Sequence, residues 1–114
     1  MEDHTWVEEF PGAVTVCDTE GIILALNQAA CGVFEQDGGK ALIGSNVLDC
    51  HPESARKKLL EMMQSRQRNV YTIEKNGKHK LIYQSPWFIE GEYAGFVELS
   101  LEIPGELPHF VRKG

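Results

Sequence analysis

The chain has 114 residues, 42% hydrophobic and 25% charged, which suits one domain with a single modest core. Its formal net charge of -6 disfavours non-specific binding to a polyanion, and its basic clusters (Arg56-Lys57-Lys58, Arg66 with Arg68, Lys75 to Lys80) are short and read as solvated faces. No apolar run approaches the roughly 20 residues that span a bilayer, and the acidic start (Glu2, Asp3, Glu8, Glu9) does not suit a secretory leader.

Residues 1–12 form the first unit. Trp6, Val7 and Phe10 stand at i, i+1 and i+4 among acids, a short amphipathic helix or turn stopped by Pro11-Gly12. Burying an aromatic side chain contributes roughly 1.5–3 kcal/mol, so this segment is expected to dock on its own sheet or on a second copy. From Ala13 the pattern alternates: Ala13 to Cys17 and Ile22 to Leu26 read as a hairpin around Asp18-Thr19-Glu20-Gly21. Asn27 is placed to cap a helical turn at Gln28 to Cys31, and Val33 and Phe34 return to the core. Gln36 to Lys40 reads as a flexible surface loop.

Gly44-Ser45-Asn46-Val47-Leu48-Asp49-Cys50-His51-Pro52-Glu53 leads into the one long amphipathic helix. Pro52 suits its first position, which makes His51 the expected N-cap. Asp49 and Glu53 complement the helix dipole. Ala55, Leu59, Met62 and Met63 share a face, and the helix is expected to run to about Arg66. The last third is strand: Asn69 to Glu74, Lys80 to Phe88 and Tyr93 to Ile103, joined by the Asn76-Gly77 hairpin turn and by Glu90-Gly91-Glu92. Pro86 implies an edge position or a bulge. In the final strand Val97, Leu99, Leu101 and Ile103 alternate with Glu98, Ser100 and Glu102, one face buried and one wetted. Residues 13–103 form the domain and 104–114 a tail. The fold class is α+β, an antiparallel sheet with helices packed on one face.

These residues resemble a PAS domain over 13–103. The resemblance rests on Asp18 and Gly21 at the first turn, Leu26-Asn27 leading into Gln28-Ala29-Ala30, Phe34, Gly44, the Asn76-Gly77 hairpin and Gly91 with Gly95. It implies a five-stranded sheet of order 2-1-5-4-3 cupped by helices around a cavity that holds haem, flavin, a small metabolite or only side chains. It also implies a homodimer through the N-terminal segment and sheet face and a conformational change passed to an effector, which is expected here to be a separate signalling protein.

That resemblance frames the chemistry of the Gly44 to Glu53 stretch. Gly44-Ser45-Asn46 resembles the start of the light-oxygen-voltage motif, but Val47 stands where the adduct-forming cysteine belongs, so flavin photochemistry is disfavoured. His51-Pro52-Glu53 resembles the neighbourhood of a haem-ligating histidine in some oxygen sensors, which makes His51 a candidate ligand to haem iron with Cys50, Met62 or Met63 opposite. Adjacent Cys50 and His51 lack zinc-ligand spacing. Asp49, Cys50 and His51 lie together, but neighbours in sequence rarely aim at one reacting atom and no oxyanion-hole motif accompanies them, so no catalysis is expected. The odd cysteine count (Cys17, Cys31, Cys50) suits free thiols in a reducing cytoplasm.

The residues expected at the cofactor or ligand are therefore His51, Cys50, Asn46, Phe34, Leu59, Met63 and Val97, with Val16, Leu24, Leu48 and Leu81 lining the cavity around them. The function expected is a sensory or signalling domain that binds a small molecule, associates with proteins, or does both, without nucleic acid or membrane as partner. The alternatives are a haem-binding gas or redox sensor using His51, and a pure dimerisation module.

Overall fold

The computed structural model describes residues 5–50 and 53–114, and the backbone alone of Cys50. Strands β1 (Ala13–Cys17), β2 (Ile23–Leu26), β3 (Asn69–Lys75), β4 (Lys78–Ile89) and β5 (Glu92–Ile103) form one antiparallel sheet in the order 2-1-5-4-3. Turn chemistry sets the hairpins. Asn76 and Gly77 both take positive φ, 53° and 75°, as a two-residue type I′ turn requires, and β3 pairs with β4 from Lys75↔Lys78 to Asn69↔Gln84. In the first hairpin the Asp18 carboxylate accepts from the backbone N–H groups of Glu20 and Ile22, both at 2.9 Å. Pro86 lies beyond the end of β3, where β4 has a strand on one side only, and a bulge follows between Trp87 and Phe88.

Helix α1 (Thr5–Glu8) precedes the sheet, α2 (Gln28–Val33) follows β2, and α3 (Glu53–Ser65) crosses to β3. The expected N-cap at His51 and Pro52 lies outside the described residues. The stretch read as a flexible loop is instead two 3-10 turns, Glu35–Asp37 and Gly39–Leu42. Local i→i+3 bonds (Gly38 N–H to Glu35 O, Ala41 N–H to Gly38 O) give its backbone internal partners, which composition alone does not reveal. A third turn, Val47–Cys50, leads towards α3.

α3 ends where Arg66 takes a left-handed φ of 57° and donates its N–H to Met62 O at 2.8 Å. Its guanidinium stacks 4.3 Å from the Tyr93 ring centroid, a cation–π contact that offsets the strain of a non-glycine residue there.

Ala13, Cys17, Ile23, Leu26, Ala30, Val47, Met62 and Phe96 form the core, with Phe34, Leu48, Leu59, Met63 and Tyr93 packed around them. Asn27, 4% exposed, holds the N-terminal half together. Its Oδ1 accepts from Ala30 N–H (3.0 Å), capping α2, and from Val14 N–H (2.9 Å). Its Nδ2 donates to Val7 O and Gly12 O, each at 2.9 Å, with Phe10 O at 3.4 Å. One amide thereby fastens α1, β1 and α2.

The alternation read in the last strand is present, but the helices cover the opposite face from the one it suggested. Glu98 and Ser100 point with Ala13, Thr15, Ile82 and Gln84 towards the helical side. Val97, Leu99, Leu101 and Ile103 share the outer face with Val14, Val16 and Leu81, where α1 is the covering element. A period of two defines two faces and says nothing about which one receives the helices.

Candidate functional site: a polar rung beneath α3

Register places four polar residues in one row across the inner face. Thr15 of β1 pairs with Glu98 of β5, Glu98 with Gln84 of β4, and Gln84 with Asn69 of β3. Their side chains connect: Gln84 Nε2 donates to Glu98 Oε1 at 2.6 Å, and Asn69 Nδ2 donates to Gln84 Oε1 at 2.9 Å. The chain of bonds fixes the orientation of both amides. Thr15 and Gln84 are buried, at 7% and 8% exposure. Glu98 is half-buried and, among the described residues, forms no ion pair.

Two spaces meet at this row. The inner cavity, lined by Thr15, Cys17, Phe34, Val47, Leu59 and Phe96, holds about 30 Å³, room for about one water. The second is an open cleft of about 420 Å³ between α3 and the sheet, lined by Ala55, Lys58, Leu59, Met62, Asn69 and Tyr71. Leu59, Gln84 and Glu98 border both. The cleft has the size of a small-molecule site, typically about 300–1,000 Å³.

The surroundings act on nearby acids. Burial raises the Cys17 thiol pKa; a hydrogen bond from the Phe96 backbone opposes this, and Asp18 and Glu98 add to the rise. Burial and the charge of Glu98 likewise raise the Tyr71 hydroxyl. Cys17 is thus a protonated packing residue at neutral pH rather than a nucleophile.

Among the residues expected at a ligand, Phe34 and Leu59 line the inner cavity. Val97 borders both that cavity and the outer groove. Met63 packs against the core from α3. Asn46 is occupied structurally: its Oδ1 accepts from Leu48 N–H at 2.9 Å and its Nδ2 donates to Glu20 O at 3.1 Å. His51 and the Cys50 side chain lie outside the described residues. Of the other expected lining residues, Leu48 packs on the core, Val16 and Leu81 face outward, and Leu24 is 46% exposed. Sequence patterning does not single out Glu98, Gln84, Asn69 and Thr15. Their signal is visible only once strand register aligns them.

The inner cavity is far smaller than a haem or flavin ring system, so the residues around it do not fit either group as arranged. Among the described residues, no group of three or more His, Cys, Asp or Glu side chains is placed to hold a metal ion. No described helix is long and apolar enough to cross a membrane.

A family model described as the PAS fold matches residues 7–104. The chain belongs to the PAS family, a fold typical of sensory and signalling proteins. Solved structures agree on the fold. A C-terminal domain from Streptococcus mutans has 19% identity and a TM-score of 0.69, over 84% of this chain and 78% of that one. The PAS domain of Bordetella pertussis BvgS has 18% identity and a TM-score of 0.62, over 86% and 81%. The Vibrio cholerae Aer2 receptor, described as a dual PAS-haem oxygen sensor, has 20% identity and a TM-score of 0.61, over 82% and 95%. A comparison with curated proteins returns no match.

Proposed function

We propose that this PAS domain senses a small molecule bound in the cleft between α3 and the inner sheet face, and passes the change through its outer face to a second copy of the chain and on to a separate signalling protein. The Thr15–Glu98–Gln84–Asn69 rung carries the reading. Polar and charged side chains on the helix-covered face weaken packing unless they are given partners, and here Glu98, Gln84 and Asn69 converge on a cleft of ligand size, with Thr15 on the inner cavity beside them.

Native mass spectrometry of the protein after incubation with a metabolite extract tests this. A bound small molecule is expected with the wild type and not with Leu59→Trp, whose indole fills the cleft while the protein keeps its far-UV spectrum. Absence of any adduct, or an adduct that persists in Leu59→Trp, contradicts the reading.

The route outward is short. Glu98 faces the cleft while its chain neighbours Val97 and Leu99 line an apolar groove of about 580 Å³ on the other face, with Val14, Val16, Val7 and Phe10. Trp6, 71% exposed, and Phe10, 38% exposed, stand beside that groove in edge contact, with ring centroids 6.5 Å apart. Their exposure supports a homodimer through α1 and the outer face. Light scattering on a sizing column is expected to give a dimer mass for the wild type and a monomer for Trp6→Glu. A wild type that stays monomeric at high concentration removes this role.

A further inference from the structure

On the reading that the cleft binds a ligand, we infer that the ligand is a small aliphatic zwitterion, with an ammonium group held by Glu98, a carboxylate facing Lys58 and an apolar part against Leu59 and Met62. Glu98 is the starting point. Its Oε1 accepts from Gln84, its position is half-buried, and no described cation pairs with it. A carboxylate so placed borders the cleft with no counter-charge beside it, and so can take a cation there. The rung also cannot turn a second donor towards it, because Gln84 Oε1 is engaged by Asn69 and the amide is locked in that sense. A donor-rich cation supplied from the cleft satisfies the second Glu98 oxygen.

The other end of the ligand follows from the opposite wall. Lys58 is the one cationic side chain bordering this cleft among the described residues, and Leu59, Met62 and Ala55 make its helical wall apolar. Lys75 and Lys80 border Glu98 from a separate space of about 200 Å³ on the Phe34 side, and neither pairs with it. One acid and one base across a cleft with an apolar helical wall match an ammonium carboxylate with a short hydrocarbon body better than an anion, a neutral fragment or a polycation.

The test titrates the full chain with leucine, with isoamylamine (which lacks the carboxylate), with isocaproate (which lacks the amine) and with neutral isoamyl alcohol and isocaproamide, read by backbone amide NMR shifts and calorimetry. Leucine is expected to bind, with shifts around residues 55–62 and at Asn69, Gln84 and Glu98; the amine is expected to bind more weakly and the acid hardly at all. Glu98→Gln is expected to weaken leucine by about tenfold to a hundredfold, the loss typical of a charge-assisted hydrogen bond. Lys58→Met is expected to weaken leucine while leaving isoamylamine unchanged, and it reports independently should Glu98→Gln fold poorly. Isocaproate binding as tightly as leucine, or Glu98→Gln leaving affinity unchanged, overturns the inference. If neutral fragments shift the cleft amides and none of the amines does, the inference fails and the ligand-binding reading stands. If no compound of any charge does, both fail.

Discussion

Asn27→Ala is expected to lower the stability of the domain by about 3–4 kcal/mol, a fall in Tm of about 12–30 °C for a chain of this size. The cap on α2 accounts for about 1 kcal/mol. The remainder arises because the substitution leaves Val14 N–H and the carbonyls of Val7 and Gly12 without their partner at a site that is 4% exposed. Asn27→Asp separates the two halves of the amide. It keeps an acceptor for Ala30 and Val14 but turns a carboxylate oxygen towards the Val7 and Gly12 carbonyls, so it is expected to cost at least as much as alanine. Urea denaturation of the three proteins checks this. An aspartate variant as stable as the wild type contradicts the assignment of Nδ2 as the donor that fastens α1.

Gly95→Ala is the second large effect, and its cause is steric. Gly95 pairs with Trp87 where β5 passes beneath the end of β1, at a φ of 145°. A Cβ there would lie 1.9 Å from Cys17 O and 2.8 Å from the Asp18 backbone, atoms of a strand end that cannot swing aside. The same Cys17 carbonyl accepts from Trp87 Nε1 at 3.0 Å, so any shift that relieves the clash also disturbs that bond. The expected loss is about 3–5 kcal/mol from overpacking and backbone strain together. Gly32→Ala is the matched control. It lies in α2, where an added methyl meets nothing within 4 Å, and is expected to gain up to about 1 kcal/mol from helix propensity. Denaturant midpoints that move in the same direction for both variants would contradict the steric origin of the Gly95 effect.

Much of the fold was legible because its signals are local. Asn76-Gly77 announces its hairpin, Asn27 its helix and Leu59-Met62-Met63 the core-packed face of α3, with Ala55 on the cleft beside them, and each takes the expected place. Resemblance to the PAS pattern supplied the strand order, which no local pattern contains. The site was less legible. Gln84 and Asn69 look like ordinary strand polars until register sets them beside Glu98, and Glu98 reads as a wetted residue because the neighbouring apolar residues suggest that theirs is the buried face. Asn46 attracts notice through a motif, yet its side chain is spent on the Leu48 and Glu20 backbone. The 3-10 turns around Gly38 and Gly39 escape a reading of composition because loops and tight helical turns share the same glycine-rich, polar character.

Backbone amide NMR with a mixed-charge fragment set reads directly whether the α3 cleft or the outer groove takes the ligand. Binding in the cleft, as proposed, predicts shifts centred on Ala55 to Met62, Asn69, Tyr71, Gln84 and Glu98. Shifts confined to Val14, Val16 and Leu99, or none at all, would contradict it.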